Sequence, residues 1–261
     1  MLGKKGKKVL MKILLFDIEN SPIVTWSWGI HADPSHSTKF VKENWYVMCW
    51  SAKWLNSKEV ISKALPDYQY NHKKPCDKRI LKDLWKLLDE ADIVIAHNGK
   101  RFDCKKSNAR FMMHGMTPPS PYKVIDTLTV SRSMFMFTSN RLGDLGQYLG
   151  VGSKIDTGGF DLWKECMEGN LKSWDKMIKY CKQDVILLEK VYLKIRPYIK
   201  NHPHLSLDNG NCPKCGSSKL QKRGTIMTKR AMLRRFCCTA CGGWCSKKIE
   251  KYDKKKRYTN E

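Results

Sequence analysis

The sequence predicts an α/β fold, a mixed sheet flanked by helices, with a small second unit at the C-terminal end. Three observations predict it. Short apolar, β-branched runs alternate with stretches of helical spacing between about residues 10 and 200. An amphipathic run at 78–91 leads directly into a short buried run at 93–98, which makes a β-α-β unit with the strand before it. Cysteine and charge content then change abruptly after HPHLSLDNGN at 202–211, where Pro, Gly and Asn interrupt both periodicities.

The elements follow in chain order. KILLFDI at 12–18 reads as a buried strand, and the aromatic, β-branched segments at 23–30 and 45–55 read as its neighbours. KRILKDLWKLLDEA at 78–91 places Ile80, Leu81, Leu84, Trp85, Leu87 and Leu88 at helical spacing, and IVIAHN at 93–98 is a strand entering a loop. A helix at 104–113, a strand at 123–129, a short helix at 142–149 and a long helix at 171–198 complete this part. There is no internal repeat, and we place the domains at 1–205 and 206–261.

Composition narrows the function classes. A chain of 261 residues suits one or two domains, and 41% apolar content without an uninterrupted stretch of roughly 20 apolar residues argues against both disorder and a membrane span. The 49 Lys and Arg against 25 Asp and Glu leave a net charge of +24. Such a surplus points to a polyanionic partner, and without a basic amphipathic helix or a lipidation motif that partner is nucleic acid rather than a membrane surface. Residues 206–261 carry 15 basic and 4 acidic side chains, a net +11 in 56 positions, whereas the first 205 carry a net +13. The N-terminal lysines followed by apolar residues imitate a signal peptide, but the apolar part is short, is broken by Lys12 and lacks a small-residue cleavage site. Eleven cysteines, six of them crowded between Cys212 and Cys245 in paired spacings, read as metal ligation in a reducing compartment, so a cytoplasmic location is expected.

Grouped carboxylates in so basic a chain need a cation to offset their repulsion. Asp17 and Glu19, two residues apart at the end of the first strand, point to the same face of it. Alone that pair is commonplace. HNGKRFD at 97–103 ends a strand in a Gly-containing loop and opens a helix with Asp103, which taken alone reads as an N-cap. YCKQD at 180–184 stacks Tyr180 and Asp184 on one helix face at i, i+4 spacing. The set Asp17, Glu19, Asp103 and Asp184 is what makes the pattern informative.

With these motifs the sequence resembles the DEDD, or DnaQ-like, 3′-to-5′ exonucleases of the ribonuclease H-like fold, over about residues 10–200. FDIE at 16–19 looks like their first motif, the N-x-x-x-F-D run at 98–103 like their second and Y-x-x-x-D at 180–184 like their third. Tyr rather than His four positions before the last Asp is similar to the DEDDy subgroup. The resemblance implies metal-ligand roles for Asp17, Glu19, Asp103 and Asp184, a water-orienting role for Tyr180, and contact of Asn20 and Ser21 with the 3′ end. Lys100 and Arg101 depart from the pattern by sitting inside the second motif, where with Asn98 they are candidates to grip a phosphate. The compact architecture also looks like that of phage-encoded nucleases.

Two Mg²⁺ or Mn²⁺ ions about 4 Å apart would activate the attacking water and neutralise the departing 3′ oxygen, and hard oxygen ligands suit those ions. The product implied by the family is a nucleoside 5′-monophosphate. Of the aromatics, Trp45, Tyr46, Trp50 and Trp54 read as core or sheet-face residues, while Trp26 and Trp28 are the better candidates to stack on the terminal nucleotide. His97 reads as a strand-end residue.

The tail holds CPKCG at 212–216 and CTACG at 238–242. Two C-x2-C pairs of this kind, each followed by Gly, close a tetrahedral site for one structural Zn²⁺ through Cys212, Cys215, Cys238 and Cys241, and the segment resembles a zinc ribbon. Cys237 and Cys245 leave the ligand set open, and the spacing lacks the pattern of iron-sulfur ferredoxins. Lys219, Lys222, Arg223, Lys229, Arg230, Arg234 and Arg235 lie between the pairs, with Lys254, Lys255, Lys256 and Arg257 beyond. Charge of this density suits phosphate contacts without base readout.

The expectation is a metal-dependent 3′-to-5′ exonuclease acting on nucleic acid, single-stranded DNA being favoured. A 3′-to-5′ exoribonuclease, a structure-selective endonuclease on the same fold, or a non-catalytic nucleic-acid-binding adaptor remain open, as does a protein partner such as a polymerase.

Overall fold

The computed structural model describes residues 11–27, 38–68, 70–205, 210–229 and 231–248, so Trp28, Arg230 and the basic run at 254–257 lie outside the described residues. The chain forms two compact units, Lys12–Lys194 and a smaller one that takes in Ile195 onward.

The larger unit is built on a five-stranded mixed sheet of order β5-β4-β1-β6-β7. Its central strand β1 (Ile13–Asn20) pairs antiparallel with β4 (Val47–Trp54) and parallel with β6 (Ile93–Ala96). Strand β5 (Ile61–Ala64) extends the antiparallel side and β7 (Lys123–Asp126) the parallel side. Strands buried on both faces read as continuous apolar runs rather than alternating ones, and Leu14, Leu15, Phe16, Val94 and Ile95 are fully buried. Helix α1 (Lys78–Glu90) covers β4 and β5 through Ile80, Leu81, Leu84 and Leu88.

Several elements differ from the sequence reading. Of residues 23–30, the described 23–27 do not join the main sheet: among them only β2 (Val24–Thr25) is a strand, and it pairs with β3 (Val41–Glu43) in a separate two-stranded sheet, while 28–30 lie outside the described residues. Ile23 and Trp26 are exposed there, so the aromatic run has no core to enter. The strand at 123–129 stops at Asp126, whose carboxylate accepts from the Leu128 and Thr129 N–H groups and caps α3 (Thr127–Met134). That cap overrides the β propensity of the residues after it. The long helix α6 (Leu171–Ile195) gives way to a 3-10 turn at Arg196–Tyr198, which contains Pro197. Strand β5 and helix α5 (Asp161–Met167) were not anticipated. Helices α2 (Asp103–Met113) and α4 (Leu142–Tyr148) fall where the spacing predicts them.

A buried polar cluster fixes α2 against the sheet. The Asp77 carboxylate accepts from Val47 N–H at 2.8 Å and Arg110 Nε at 2.7 Å, and lies 2.6 Å from His114 Nε2. Asp77 is wholly buried and Arg110 nearly so. Removing one member of such a pair costs about 3–5 kcal/mol, because the other is left buried and unpaired.

In the smaller unit, strands β8 (Leu220–Met227), β9 (Met232–Cys238) and β10 (Trp244–Lys248) form an antiparallel sheet of order β10-β9-β8. Cys212 and Cys238 are its buried cysteines, and no described residue of β8 is buried.

Candidate functional site

The carboxylates converge where β1 leaves the core. Along β1 the alternation that buries Phe16 and Ile18 turns Asp17 and Glu19 to one face. Helix α6 brings Asp184 to them, since Met177, Cys181, Val185 and Leu188 form its buried stripe and the Cys181 thiol lies 3.7 Å from the Asp17 carbonyl oxygen. One carboxylate oxygen from each of Asp17, Glu19 and Asp184 lies within 4.8 Å of the others. Asp103, the first residue of α2, stands beside this trio, and its Oδ1 accepts from Ile18 N–H at 3.2 Å.

The loop that delivers Asp103 is tightly wound. Asn98 has a left-handed φ of 68°. A Cβ at Gly99 would stand 2.3 Å from the Ala96 Cβ, so only glycine fits there. Asn98 N–H and Lys100 N–H donate to the two Asp126 oxygens at 3.0 and 3.1 Å, which ties the loop to the end of β7. The Lys100 and Arg101 side chains are exposed, as is Phe102. His97 Nδ1 lies 2.9 Å from Thr127 Oγ1, and burial lowers its pKa to about 4.

The residues after β1 take different positions. Ser21 is buried, its backbone N–H donating to the Tyr46 carbonyl and its hydroxyl accepting from Tyr46 N–H. Both polar atoms of the Asn20 amide are buried with no protein partner. Trp26 is exposed, with Lys42 Nζ 5.4 Å from its ring centroid. Trp50 is core, its Nε1 donating to the Ile80 carbonyl at 2.7 Å, and Trp45 lies beneath Lys106 Nζ at 3.6 Å.

Sequence reasoning missed Lys154. Its Nζ donates to Asp184 Oδ2 at 2.6 Å and to the Tyr180 hydroxyl at 2.9 Å. The loop carrying it lies against α4, where a Cβ at Gly146 would stand 2.5 Å from the Gly152 carbonyl oxygen and one at Gly143 would press on the Lys154 stem at 3.3 Å. Those two helix glycines were the available signal, because glycine inside a helix otherwise costs stability. Tyr180 is half-buried, set edge-on to Trp163 with ring centroids 6.3 Å apart.

Burial dominates the electrostatics. Asp17 is held well above the carboxylate range by burial and then by Asp103, Glu19 and Asp184. Burial and Asp184 raise Glu19 to about 8, and burial raises Asp103 to about 7 against the backbone N–H groups that it accepts from. Asp184 is raised by burial in spite of Lys154. Burial works against the Lys154 charge, yet the Asp184 carboxylate and Tyr180 hydroxyl outweigh it and raise its pKa. Tyr180 is raised, first by burial and then by Asp184. Asp184 Oδ1 is buried without a protein partner. Desolvated, mutually repelling carboxylates with an unsatisfied oxygen are a hard-donor set that fits a divalent cation.

In the smaller unit Cys212, Cys215, Cys238 and Cys241 converge, and neither Cys237 nor Cys245 belongs to the group. The Cys212–Cys241 and Cys215–Cys238 sulfurs are 3.8 and 3.7 Å apart. A regular tetrahedron of metal–sulfur bonds of about 2.3 Å has edges of about 3.8 Å, so the four thiols fit a tetrahedral metal such as zinc. Burial acts to raise the Cys238 thiol, but the backbone N–H groups of Cys241 and Ala240 outweigh it and hold it at about 7, which favours the thiolate that a metal requires.

A central strand and a following helix that bring acidic residues together on a mixed 5-4-1-6-7 sheet define a ribonuclease H-like domain. The chain belongs to the RNase H superfamily: the family model of that description matches residues 46–196. That match begins after Asp17 and Glu19, so those two residues are placed by the structure. Among solved structures, the family B DNA polymerase from the hyperthermophilic archaeon Pyrobaculum calidifontis is similar with a TM-score of 0.53 and 15% identity. The likeness covers 75% of this chain and 26% of the polymerase chain, and it shows the shared fold. No curated protein matches in sequence. Among the described residues no helix is long and apolar enough to cross a membrane.

Proposed function

We propose that the chain is a metal-dependent 3′-to-5′ exonuclease of the DEDDy type, acting on single-stranded nucleic acid, DNA in preference to RNA, and releasing nucleoside 5′-monophosphates. The observation that carries the proposal is the convergence of Asp17, Glu19 and Asp184 within 4.8 Å, with Tyr180 and Lys154 at its edge. Membership of the RNase H superfamily supports a nuclease, and a DNA polymerase of the same fold supports a DNA substrate.

Asp17, Glu19, Asp103 and Asp184 would hold two Mg²⁺ or Mn²⁺ ions, which when bound activate water and neutralise the departing 3′ oxygen. The protein's own residues do the positioning. Tyr180, whose hydroxyl stays protonated because its pKa is raised, orients the attacking water by hydrogen bonding. Lys154 fixes that hydroxyl and the Asp184 carboxylate relative to each other. The unpartnered Asn20 amide supplies a donor and an acceptor to the terminal nucleotide. Trp26 offers an exposed ring for its base, and Lys100 and Arg101 contact phosphate.

The cluster of four cysteines binds one structural zinc and folds the ribbon, whose charge grips the strand's backbone. The test is incubation of 5′-labelled DNA and RNA oligonucleotides with Mg²⁺, with Mn²⁺ or with chelator. A metal-dependent ladder of shortened DNA is expected. A single internal cut would make the chain an endonuclease, and no change would make it a binding adaptor.

A further inference from the structure

The three-stranded sheet of the smaller unit has two faces that differ in chemistry. Residues paired directly across antiparallel strands share a face. The register sets Trp244 opposite Cys237, Ser246 opposite Arg235, and Lys248 opposite Leu233, which pairs in turn with Ile226. One face therefore carries Trp244, Arg235, Lys248 and Ile226. Arg234, Lys247, Lys222 and Phe236 lie on the other.

The Trp244 face has an uncovered aromatic surface. Trp244 is 50% exposed, and the Arg235 guanidinium carbon lies 5.7 Å from its ring centroid. Arg235, Lys248 and Ile226 are exposed as well. From 210 to 248 the sequence has ten Lys and Arg and no Asp or Glu, so nothing acidic within the segment neutralises this face. An indole beside a guanidinium, on a sheet whose described residues include no carboxylate, is complementary to a polyanion that also presents flat rings. Phosphates meet the cations and an unpaired base meets the indole. A duplex hides its base faces, so phosphates and groove edges are what it offers and the indole has no ring to stack on.

We infer that the Trp244–Arg235 face is a second nucleic-acid site, a stacking platform that holds an unpaired base of a single strand with its phosphates against Arg235 and Lys248. This deepens the reading of the ribbon as a backbone-gripping arm. It adds base stacking, which does not depend on salt, to a contact that otherwise rests on charge alone.

The experiment compares binding by full-length wild type, Trp244→Ala, Trp244→Phe and Arg235→Ala in buffer without added divalent cation, with strand integrity checked on gels. The probes are a long single strand of DNA, the same strand as RNA, a duplex and a single strand of abasic sites with the same charge. Trp244→Ala is expected to weaken binding to the base-bearing strands on the order of tenfold with an unchanged salt slope, because one stacked base is lost. It should not affect binding to the duplex or the abasic strand, and Trp244→Phe should restore most of the loss. Arg235→Ala should reduce the slope of log K against log salt by about 0.7, one phosphate contact on a single strand. Equal losses on DNA and RNA would show that the base is read and the sugar is not. A larger loss on one would assign the platform to that nucleic acid.

Wild-type affinity of Trp244→Ala for the base-bearing strand would overturn the inference. An equal loss on the abasic strand, or loss of zinc from the variant, would also overturn it by making Trp244 a structural residue. Because the readout is binding, a wild-type chain that binds strands but never hydrolyses them would overturn the exonuclease proposal and leave the platform standing.

Discussion

Lys154 Nζ sits 2.6 Å from Asp184 Oδ2, so the protein carries its own cation inside the carboxylate cluster. The ammonium offsets part of the repulsion among Asp17, Glu19 and Asp184, and it holds one of the two oxygens of a carboxylate that a metal ion would also draw on, the other being without a protein partner. Replacing it with an uncharged residue of similar length separates these effects.

Lys154→Met is expected to lower the melting temperature without divalent cation and to bind Mn²⁺ more tightly. A charge-assisted hydrogen bond contributes about 1.5–3 kcal/mol, so half-saturation should fall on the order of tenfold. Melting temperature followed across a Mn²⁺ titration reads both quantities, because a ligand of the folded state alone stabilises it by RT ln(1 + [L]/Kd), so the concentration at which the rise sets in reports the half-saturation point. The same half-saturating concentration in both proteins would show that Lys154 and the metal do not share Asp184.

Asp17→Ala is expected to abolish hydrolysis while leaving the metal-free protein at least as stable as wild type. Burial and three neighbouring carboxylates hold the Asp17 pKa far up, so the truncation removes a strained group. Wild-type turnover by the purified variant would remove the two-metal assignment.

Stability without divalent cation is expected to fall as pH rises from about 6.5 to 8. Glu19 and Asp103 keep their protons to about 8 and about 7 in the folded chain, whereas unfolded carboxyls lose theirs near 4. Over that window the folded state binds more protons, which makes the slope of stability against pH negative. His97 acts in the opposite direction, but only between about 4 and its unfolded value near 6.5, so the upper window is free of it. Saturating Mg²⁺ should cancel the decline and Glu19→Gln should flatten it. A melting temperature that is level or rising between pH 6.5 and 8 in metal-free wild type would show that these carboxyls are ionised.

The parts of the site that lie on regular elements were legible in the sequence. Asp17 and Glu19 followed from a period of two on an apolar strand, and Tyr180 and Asp184 from i, i+4 spacing on an amphipathic helix. Lys154 was not singled out, because it reaches Asp184 from a loop whose path is set by backbone passing over Gly146, and the helix glycines at 143 and 146 signal a close approach without naming the lysine that it delivers. Residues 23–27 misled for a related reason: β propensity reports fit to a pleated, half-buried surface. Ile23 and Trp26 have the residue types without the burial. In the tail, two C-x2-C pairs specified the ligand geometry, while excluding Cys237 and Cys245 needed the sulfur positions.

Tyr180→Phe is expected to lower the hydrolysis rate by roughly 10² to 10⁴, the usual effect of losing a positioned proton-transfer or water-orienting group. Phenylalanine keeps the edge contact with Trp163 and loses only the hydroxyl that Lys154 contacts. Mn²⁺ half-saturation should therefore stay within a few-fold of wild type. Full activity in the variant would make Tyr180 a packing residue.

Elemental analysis after dialysis against Mg²⁺ is expected to find one zinc per chain. The sulfur separations of 3.7 and 3.8 Å match a tetrahedral zinc site. Strand β8 has no buried residue, and Ile226, Met227, Met232 and Trp244 are all exposed, so the ribbon lacks the apolar burial that stabilises a small domain. The expected zinc would supply the folding free energy through its metal–thiolate bonds. Cys212→Ser removes one vertex of the tetrahedron and should release the zinc, which a colorimetric chelator detects. The larger unit, with its own core, should keep its cooperative melting transition. Zinc that stays bound in Cys212→Ser, or that persists in a chain truncated at Pro203, would place the metal outside the four-thiol cluster.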